Sequence, residues 1–247
     1  MIKGIYTAAS GMMCNSRAID IIGNNVANSN TTGFKKDSVV FSSFGDALTY
    51  RVSNYGTASL GQTTNGVVVQ EIFTDYKQSP CEQTNNDLDL ALEGEGFFTL
   101  RLNDGTLALT RNGQFTIDGN GCLSDFDGNH VLGKSGSIQV DNANFMVDAK
   151  GNIYIDGEYF DTLRISNPTD PQSLQKRQGG LLIGFNEQNQ LPFTGQVRQG
   201  YLESASLDLI GEMTGLIESS RAFQSCTQIV KMMDSVMNKT INELCKI

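Results

Sequence analysis

Apolar side chains recur at helical spacing at both ends of the chain and at a spacing of two in between. Near the start, Ile5, Ala8, Met12, Asn15, Ile19, Ile22 and Val26 step alternately by 3 and 4, a heptad seam interrupted only by the polar Asn15. This predicts an amphipathic helix of about 25 residues. Asn28, Ser29, Asn30, Thr31, Thr32 and Gly33 then offer side chains that compete for backbone hydrogen bonds and a glycine that accepts positive φ, so the helix should stop there. At the other end Leu209, Met213, Leu216, Ser220, Phe223, Thr227, Val230, Asp234, Met237, Ile241 and Leu244 keep the same steps without a slip. Ile210, Ile217, Cys226, Ile229, Met233 and Val236 widen that stripe beyond a two-stranded seam, so this helix is expected to need more than one neighbour. From about Glu203 to Leu244 it would extend roughly 60 Å, against a diameter on the order of 45 Å for a compact domain of this mass. It is expected to project beyond the body.

Between the ends the period is two. Phe98, Leu100 and Leu102 alternate with Thr99 and Arg101, Asn103-Asp104-Gly105 marks a turn, and Leu107, Leu109, Phe115 and Ile117 resume the alternation. Phe145 and Val147, Lys150-Gly151-Asn152, Ile153 and Ile155, Asp156-Gly157, and Leu163 and Ile165 repeat that grammar. Of the 26 glycines, 16 fall between Gly94 and Gly200, whereas the four prolines (Pro80, Pro168, Pro171, Pro192) spare both terminal stretches. The expected class is α+β, with long N- and C-terminal helices forming a coiled-coil-like layer and a central β-rich domain. The expected organisation is an N-terminal helix within 1–35, an extended arm with a few strands over 36–85, a β-rich domain over 86–200 and a C-terminal helix within 201–247.

Composition narrows the function classes. The 247 residues are 39% hydrophobic and 18% charged, with a net charge of -9, so the field repels nucleic acid and anionic lipid. The charge is uneven: residues 1–36 carry four basic and one acidic side chain, residues 201–247 four and six, and the middle ten and twenty. Ends of opposite sign suit antiparallel pairing of the terminal helices, although exposed charge pairs give only about 0.2 to 1 kcal/mol each and apolar burial must dominate. No run approaches the roughly 18 to 20 apolar residues of a membrane span, and the start lacks the apolar core and cleavage pattern of a secretory signal. Five scattered cysteines (Cys14, Cys81, Cys122, Cys226, Cys245) without any C-x-x-C read neither as a disulfide framework nor as a zinc site. No cofactor or metal is expected.

Several motifs carry chemistry on paper. Gly128, Gly133, Lys134 and Ser135 satisfy G-x-x-x-x-G-K-[ST], the phosphate-cradling pattern, and leave a nucleotide-binding enzyme as an alternative. The upstream Leu123–Asp127 is short and acidic, however, and Gly136–Val140 alternates like a strand where a helix is needed, so a turn is preferred. His130, the only histidine, sits in the same loop and reads as a turn residue; a Ser-His-Asp triad would have to use it. Asp125, Asp127 and Asn129 resemble a calcium loop without its sixth-position glycine or its terminal glutamate. Gly94-Glu95-Gly96 opens a dinucleotide fingerprint that position 99 breaks. Nothing near Asp87, Asp89, Glu93 and Glu95 predicts the burial that would tune a general acid and base.

Ala9-Ser10-Gly11-Met12 followed by Asn24-Asn25-Val26-Ala27-Asn28-Ser29-Asn30-Thr31-Thr32-Gly33-Phe34-Lys35 resembles the N-terminal signature of the bacterial flagellar rod and hook proteins. A second block, Asn86 to Phe98 with Asp104-Gly105, Thr110-Arg111-Asn112-Gly113 and Val131-Leu132-Gly133, resembles the core signature of the FlgF/FlgG type. Gly200 to Ala205 and Arg221-Ala222-Phe223 are similar to its third block. The resemblance implies a non-enzymatic subunit of the basal-body rod in the flagellum, which polymerises helically with itself and with other rod and hook proteins. It implies export through the flagellar type III apparatus without a cleaved signal peptide, an extracytoplasmic location, no nucleic acid and no membrane insertion. A hook-type axial protein is the nearer alternative, but this chain is short for one. The assembly interface is expected to use Ile5, Met12, Ile19, Ile22, Asn24, Asn25, Val26, Asn28, Gly33 and Phe34 from the first end, and Leu209, Met213, Leu216, Phe223, Val230, Met237, Ile241 and Leu244 from the second. Intersubunit packing of these stripes is expected over packing on the chain's own body. Met12, Met13, Met213, Met232, Met233 and Met237 suit it, because flexible thioethers repack against non-identical neighbours.

Overall fold

A computed structural model describes residues 2–53, 56–140, 145–185 and 189–244; within these, the side chains at 2, 46–64, 178 and 244 are left out, so the expected interface position Leu244 and the thiol of Cys245 lie outside the described residues. The chain is α+β and divides into two compact units. One consists of Met1–Ala27, Asp37–Phe73 and Asp208–Ile247; the other consists of Asn28–Lys36 and Thr74–Leu207.

In the first unit, helix α1 (Ile2–Ala27) is followed by two long strands paired in a two-stranded sheet, β1 (Asp37–Ser53) and β2 (Gly56–Thr74), and the last described element is helix α2 (Leu209–Leu244). The arm expected only to hold a few strands is thus a ribbon of 17 and 19 residues. A two-stranded ribbon is marginal alone, and α1 supports this one. Ser10 Oγ accepts from Val67 N–H at 3.3 Å, Cys14 Sγ donates to Val67 O at 3.3 Å, and Asn25 exchanges two bonds with the Asp37 backbone, at 2.8 and 3.1 Å. The second helix starts at Leu209, where its apolar stripe begins, and not at about Glu203. Residues near Glu203 pair as a strand, and Asp208 caps the helix by accepting from Ile210 N–H at 3.1 Å. Its 36 residues extend about 54 Å at 1.5 Å each.

The second unit holds the remaining strands. These are β3 (Cys81–Gln83), β4 (Leu90–Glu93), β5 (Phe97–Arg101), β6 (Leu107–Thr110), β7 (Thr116–Ile117), β8 (Leu123–Ser124), β9 (His130–Val131), β10 (Phe145–Val147), β11 (Asn152–Ile155) and β12 (Glu158–Thr162). They continue with β13 (Ile165–Pro168), β14 (Gln175–Lys176), β15 (Leu182–Ile183), β16 (Gln190–Leu191), β17 (Gln196–Gln199) and β18 (Tyr201–Glu203). The largest sheet runs β14-β15-β6-β5-β9-β8-β7, and β13 adds to β5 beside β9. Strand β5 is therefore central. Phe98 and Leu100 enter a core with Leu90, Leu92, Leu123, Val131, Ile138 and Ile153, while Phe97 points to the other face with Leu109 and Leu182. With both faces covered, the alternating Thr99 is buried as well and shares a 2.9 Å hydrogen bond with Ser166 Oγ. The turns predicted at Asp104-Gly105, Gly151 and Asp156-Gly157 carry positive φ at those residues, except Asp104.

Candidate assembly surface

Within the first unit the two helices run antiparallel. Asn25 Nδ2 donates to Glu212 Oε2 at 3.1 Å near one end, Gly215 faces Ile22, Thr227 Oγ1 donates to Met12 Sδ at 3.4 Å in the middle, and Gly4 faces Met233 towards the other end. The contact is lined by small residues. A methyl group on Gly4 would lie 2.6 Å from Met233 Cε, and one on Gly11 would lie 3.3 Å from Cys226 Sγ. The half-covered face of α2 comprises Glu212, Gly215, Leu216, Ser219, Ser220, Ala222, Cys226, Thr227, Val230, Met233 and Met237, so it keeps Leu216, Ser220, Thr227, Val230 and Met237 of the seam read from hydrophobicity and adds mostly small residues along one side of it. The rest of the seam and of the wider stripe stays outside. Leu209, Met213, Phe223 and Ile241 of the expected interface are exposed, and so are Ile217, Met232, Val236 and Ile210, the last at 77%. Among its described residues, α2 has no fully buried side chain.

Helix α1 divides its faces more evenly, because the ribbon covers one side. Ala8, Cys14, Ala18, Ile21 and Asn25 are buried, and Ile5, Met12, Ile19, Ile22 and Val26 are half-buried. Asn24 is exposed, as are Tyr6 and Met13 at 71% and 75%. A cavity of about 480 Å³ opens among Ala9, Met12, Met13, Arg17 and Phe223, and one of about 550 Å³ among Tyr6, Phe44, Val67 and Val68. With Phe41 and Phe73, also exposed, the ribbon adds apolar surface that the sequence pattern did not flag.

Gly33 and Phe34, expected at the interface, are buried inside the second unit, and Asn28 is half-buried there. They belong to a joint where the three sequence signatures meet. Gly33 N–H donates to Glu203 O at 2.8 Å, Ser206 N–H donates to Phe34 O at 2.9 Å, and the Lys35 ammonium lies 2.6 Å from Glu203 Oε1. Arg111 Nε lies 2.6 Å from the other carboxylate oxygen, and its guanidinium also donates to the carbonyls of Leu92, Gly94 and Gly96. Ser79 N–H completes the set at 2.8 Å from Glu203 Oε1. Burial pushes the Glu203 carboxyl up, but Arg111, Lys35 and the Ser79 N–H together outweigh it and hold the group below the ordinary carboxylate range. Burial lowers the Lys35 ammonium, and Glu203 offsets this only in part. Gly33 sits at φ +65°, where a Cβ would come within 2.4 Å of Arg111 O, so the signature glycine is required by close approach. The charged members of this joint were not among the expected interface residues; their position inside the signature blocks was the available signal.

The nucleotide reading meets a physical obstacle. Gly128 forms the turn between β8 and β9, and the N–H groups that would face phosphate are taken by the chain. Gly133 N–H donates to Gly136 O at 2.7 Å, Lys134 N–H to Thr162 O at 2.9 Å, and Ser135 N–H to Asp161 Oδ2 at 3.1 Å. A carboxylate occupies the place of an anion, and the described residues that follow, 136–140, are not helical. Asp125 is likewise spent on a turn, accepting from Asp127 N–H, Asn129 N–H and Asn129 Nδ2. His130 lies on β9, paired with Ser124 and Arg101, and is not a turn residue.

The two helices and much of the β body match known sequence families. Residues 5–35 match the family described as flagella basal body rod protein, residues 91–175 the flagellar hook protein FlgE/F/G D1 domain, and residues 198–244 the flagellar basal body rod FlgEFG protein C-terminal family. The flagellar basal-body rod protein FlgG of Bacillus subtilis is 30% identical over 268 aligned positions, covering 98% of this chain and 99% of the relative. The flagellar basal-body rod protein FlgF of Caulobacter vibrioides is 30% identical over 239 positions, with 95% and 94% covered, and the flagellar hook-basal body complex protein FlhO of Bacillus subtilis is 28% identical over 281 positions with both chains fully covered. The chain belongs to the flagellar basal-body rod protein family.

Proposed function

We propose that this chain is a structural, non-catalytic subunit of the flagellar basal-body rod, which polymerises helically with copies of itself and with other axial proteins into a shaft joining motor and hook. The helices α1 and α2 form the inner, coiled-coil-like layer of that polymer, and the β-rich body forms the layer outside it. The subunit reaches the extracytoplasmic rod through the flagellar type III export apparatus without a cleaved signal peptide. One observation carries the reading: α2 meets α1 along a face that includes several small residues and leaves Leu209, Ile210, Met213, Ile217, Phe223, Met232, Val236 and Ile241 exposed. A surface stripe of this kind is stable only when a neighbour covers it, and stripes that meet different faces of successive neighbours generate open helical polymers.

The interface is then narrower than the sequence alone suggested. Leu209, Met213, Phe223 and Ile241 contribute directly, together with Ile210, Ile217, Met232 and Val236. Asn25 shapes it from inside through Glu212, while Gly33 and Phe34 are buried in the second unit. Replacing Ile210, Met232 and Val236 together by serine tests this. The monomer should keep its unfolding midpoint, because these side chains are exposed in it, while recovery in isolated basal bodies and motility of a strain lacking the native gene should fall to background. Normal incorporation of the triple variant would refute the assignment.

A further inference from the structure

Strand pairing in the β body brings together three side chains that lie apart in the sequence. In the β7–β8 hairpin Thr116 pairs with Ser124 and Ile117 with Leu123, so Asp118 and Cys122 come opposite one another just beyond. Ser124 also pairs with His130 of β9. Alternation along strands therefore puts Asp118, Cys122 and His130 on one face. One ligand atom from each lies within 4.8 Å of the other two. His130 Nδ1 is buried and has no hydrogen-bond partner; Asp118 Oδ2 faces it at 3.8 Å, too far for a hydrogen bond. Asp118 is oriented by its other oxygen, which accepts from Asn120 N–H and Cys122 N–H, both at 2.8 Å.

We propose that Asp118, Cys122 and His130 form a binding site for a divalent transition-metal ion of the zinc class. A carboxylate, a thiolate and an imidazole are the mixed O, S and N donors that such an ion accepts, whereas calcium and magnesium take oxygen alone. Tetrahedral bonds of about 2.0 to 2.3 Å put ligand atoms roughly 3.3 to 3.6 Å apart. The observed spread closes to that by side-chain rotation around a buried thiol. Binding releases the Cys122 proton to solvent, and the partly exposed sides of Asp118 and His130 leave the fourth position to water. The backbone bonds to Asp118 supply the outer support that metal ligands require. Spacing hid the site, because it contains no C-x-x-C and is assembled by β pairing.

The test uses the untagged, reduced full chain stripped with chelator. Cobalt(II) should give a thiolate-to-metal charge-transfer band and intense tetrahedral visible bands that saturate at one ion per chain and are displaced by zinc(II). Cys122→Ser should abolish the charge-transfer band. Asp118→Asn, which keeps the acceptor for both backbone N–H groups, should weaken binding at least about 10-fold. His130 is the only histidine, so its ring-nitrogen resonances also report on the unaltered protein and should move with one equivalent of zinc(II). Unmoved resonances, no saturable cobalt spectrum, or a charge-transfer band that survives Cys122→Ser would each overturn the proposal.

Discussion

The buried joint around Glu203 makes a quantitative prediction for Glu203→Gln. The substitution keeps the shape and an acceptor for Ser79 N–H but removes the charge that faces Lys35 and Arg111, each 2.6 Å away. All three side chains are almost completely buried. Breaking a buried ion pair from one side costs about 3 to 5 kcal/mol, because the partner charge is left uncompensated. Lys35 still donates to Lys77 O, and Arg111 still reaches three backbone carbonyls, which places the cost near the lower end, about 3 kcal/mol. The control is Glu93→Gln. Its partner Arg198 lies 2.9 Å away, but both groups are about half exposed, so the loss should stay below about 1 kcal/mol. Urea unfolding followed by near-ultraviolet circular dichroism, which reports the packing of Phe98 on Phe115, separates the two. With a slope of about 1.5 to 3 kcal/mol per molar, Glu203→Gln should lower the midpoint by about 1 to 2 M at unchanged slope. Equal midpoints for the two variants would refute the view that this cluster locks the three signatures together.

Acidification should act through the same carboxyl. Folded Glu203 binds its proton less readily than the unfolded group, so its contribution is complete above about pH 4.3 and is lost as pH falls through the lower folded value; the Glu203→Gln midpoint should be flatter over that range. Gly33→Ala should destabilise by about 1 to 3 kcal/mol in thermal unfolding, since φ is +65° and Arg111 O blocks the methyl. Gly119→Ala, with nothing within 4 Å, should shift it little. Hydrogen exchange on the monomer should show amides of 5–26 and 209–244 exchanging faster than those of β5 and β6, because both buried apolar clusters lie in the β body; full protection of the helices would contradict this. Calorimetry should show no saturable ATP binding for either the native chain or Lys134→Ala, and the variant should keep native stability, because Lys134 is exposed and its loop closes on Asp161.

Hydrophobic spacing made both helices legible, along with the period-two body and its turns, because each signal is local and the backbone answers it directly. The rotation of the helices was legible only in part. The seam read from hydrophobicity contains Leu216, Ser220, Thr227, Val230 and Met237, which are half-covered, but also Leu209, Met213 and Phe223, which are exposed, while the contact inside the chain adds close approaches at Gly4, Gly11, Gly215 and Cys226. Size rather than hydrophobicity decides which face closes first. Lys35, Arg111 and Glu203 look like solvent-facing charges until strands from separate signature blocks bury them together, and the same non-local pairing places His130 beside Asp118 and Cys122. The ribbon was faint for a related reason. Strands covered on one side and rich in Thr and Ser lack the apolar contrast that marks a core strand. The two blind spots together bear on assembly. If bulk alone chose the contact, Leu209, Met213 and Phe223 would be consumed within the monomer and less apolar surface would remain beside Ile210, Ile217, Met232 and Val236. Small residues on the internal face leave those three exposed as well, which is the surface the proposed polymer would cover.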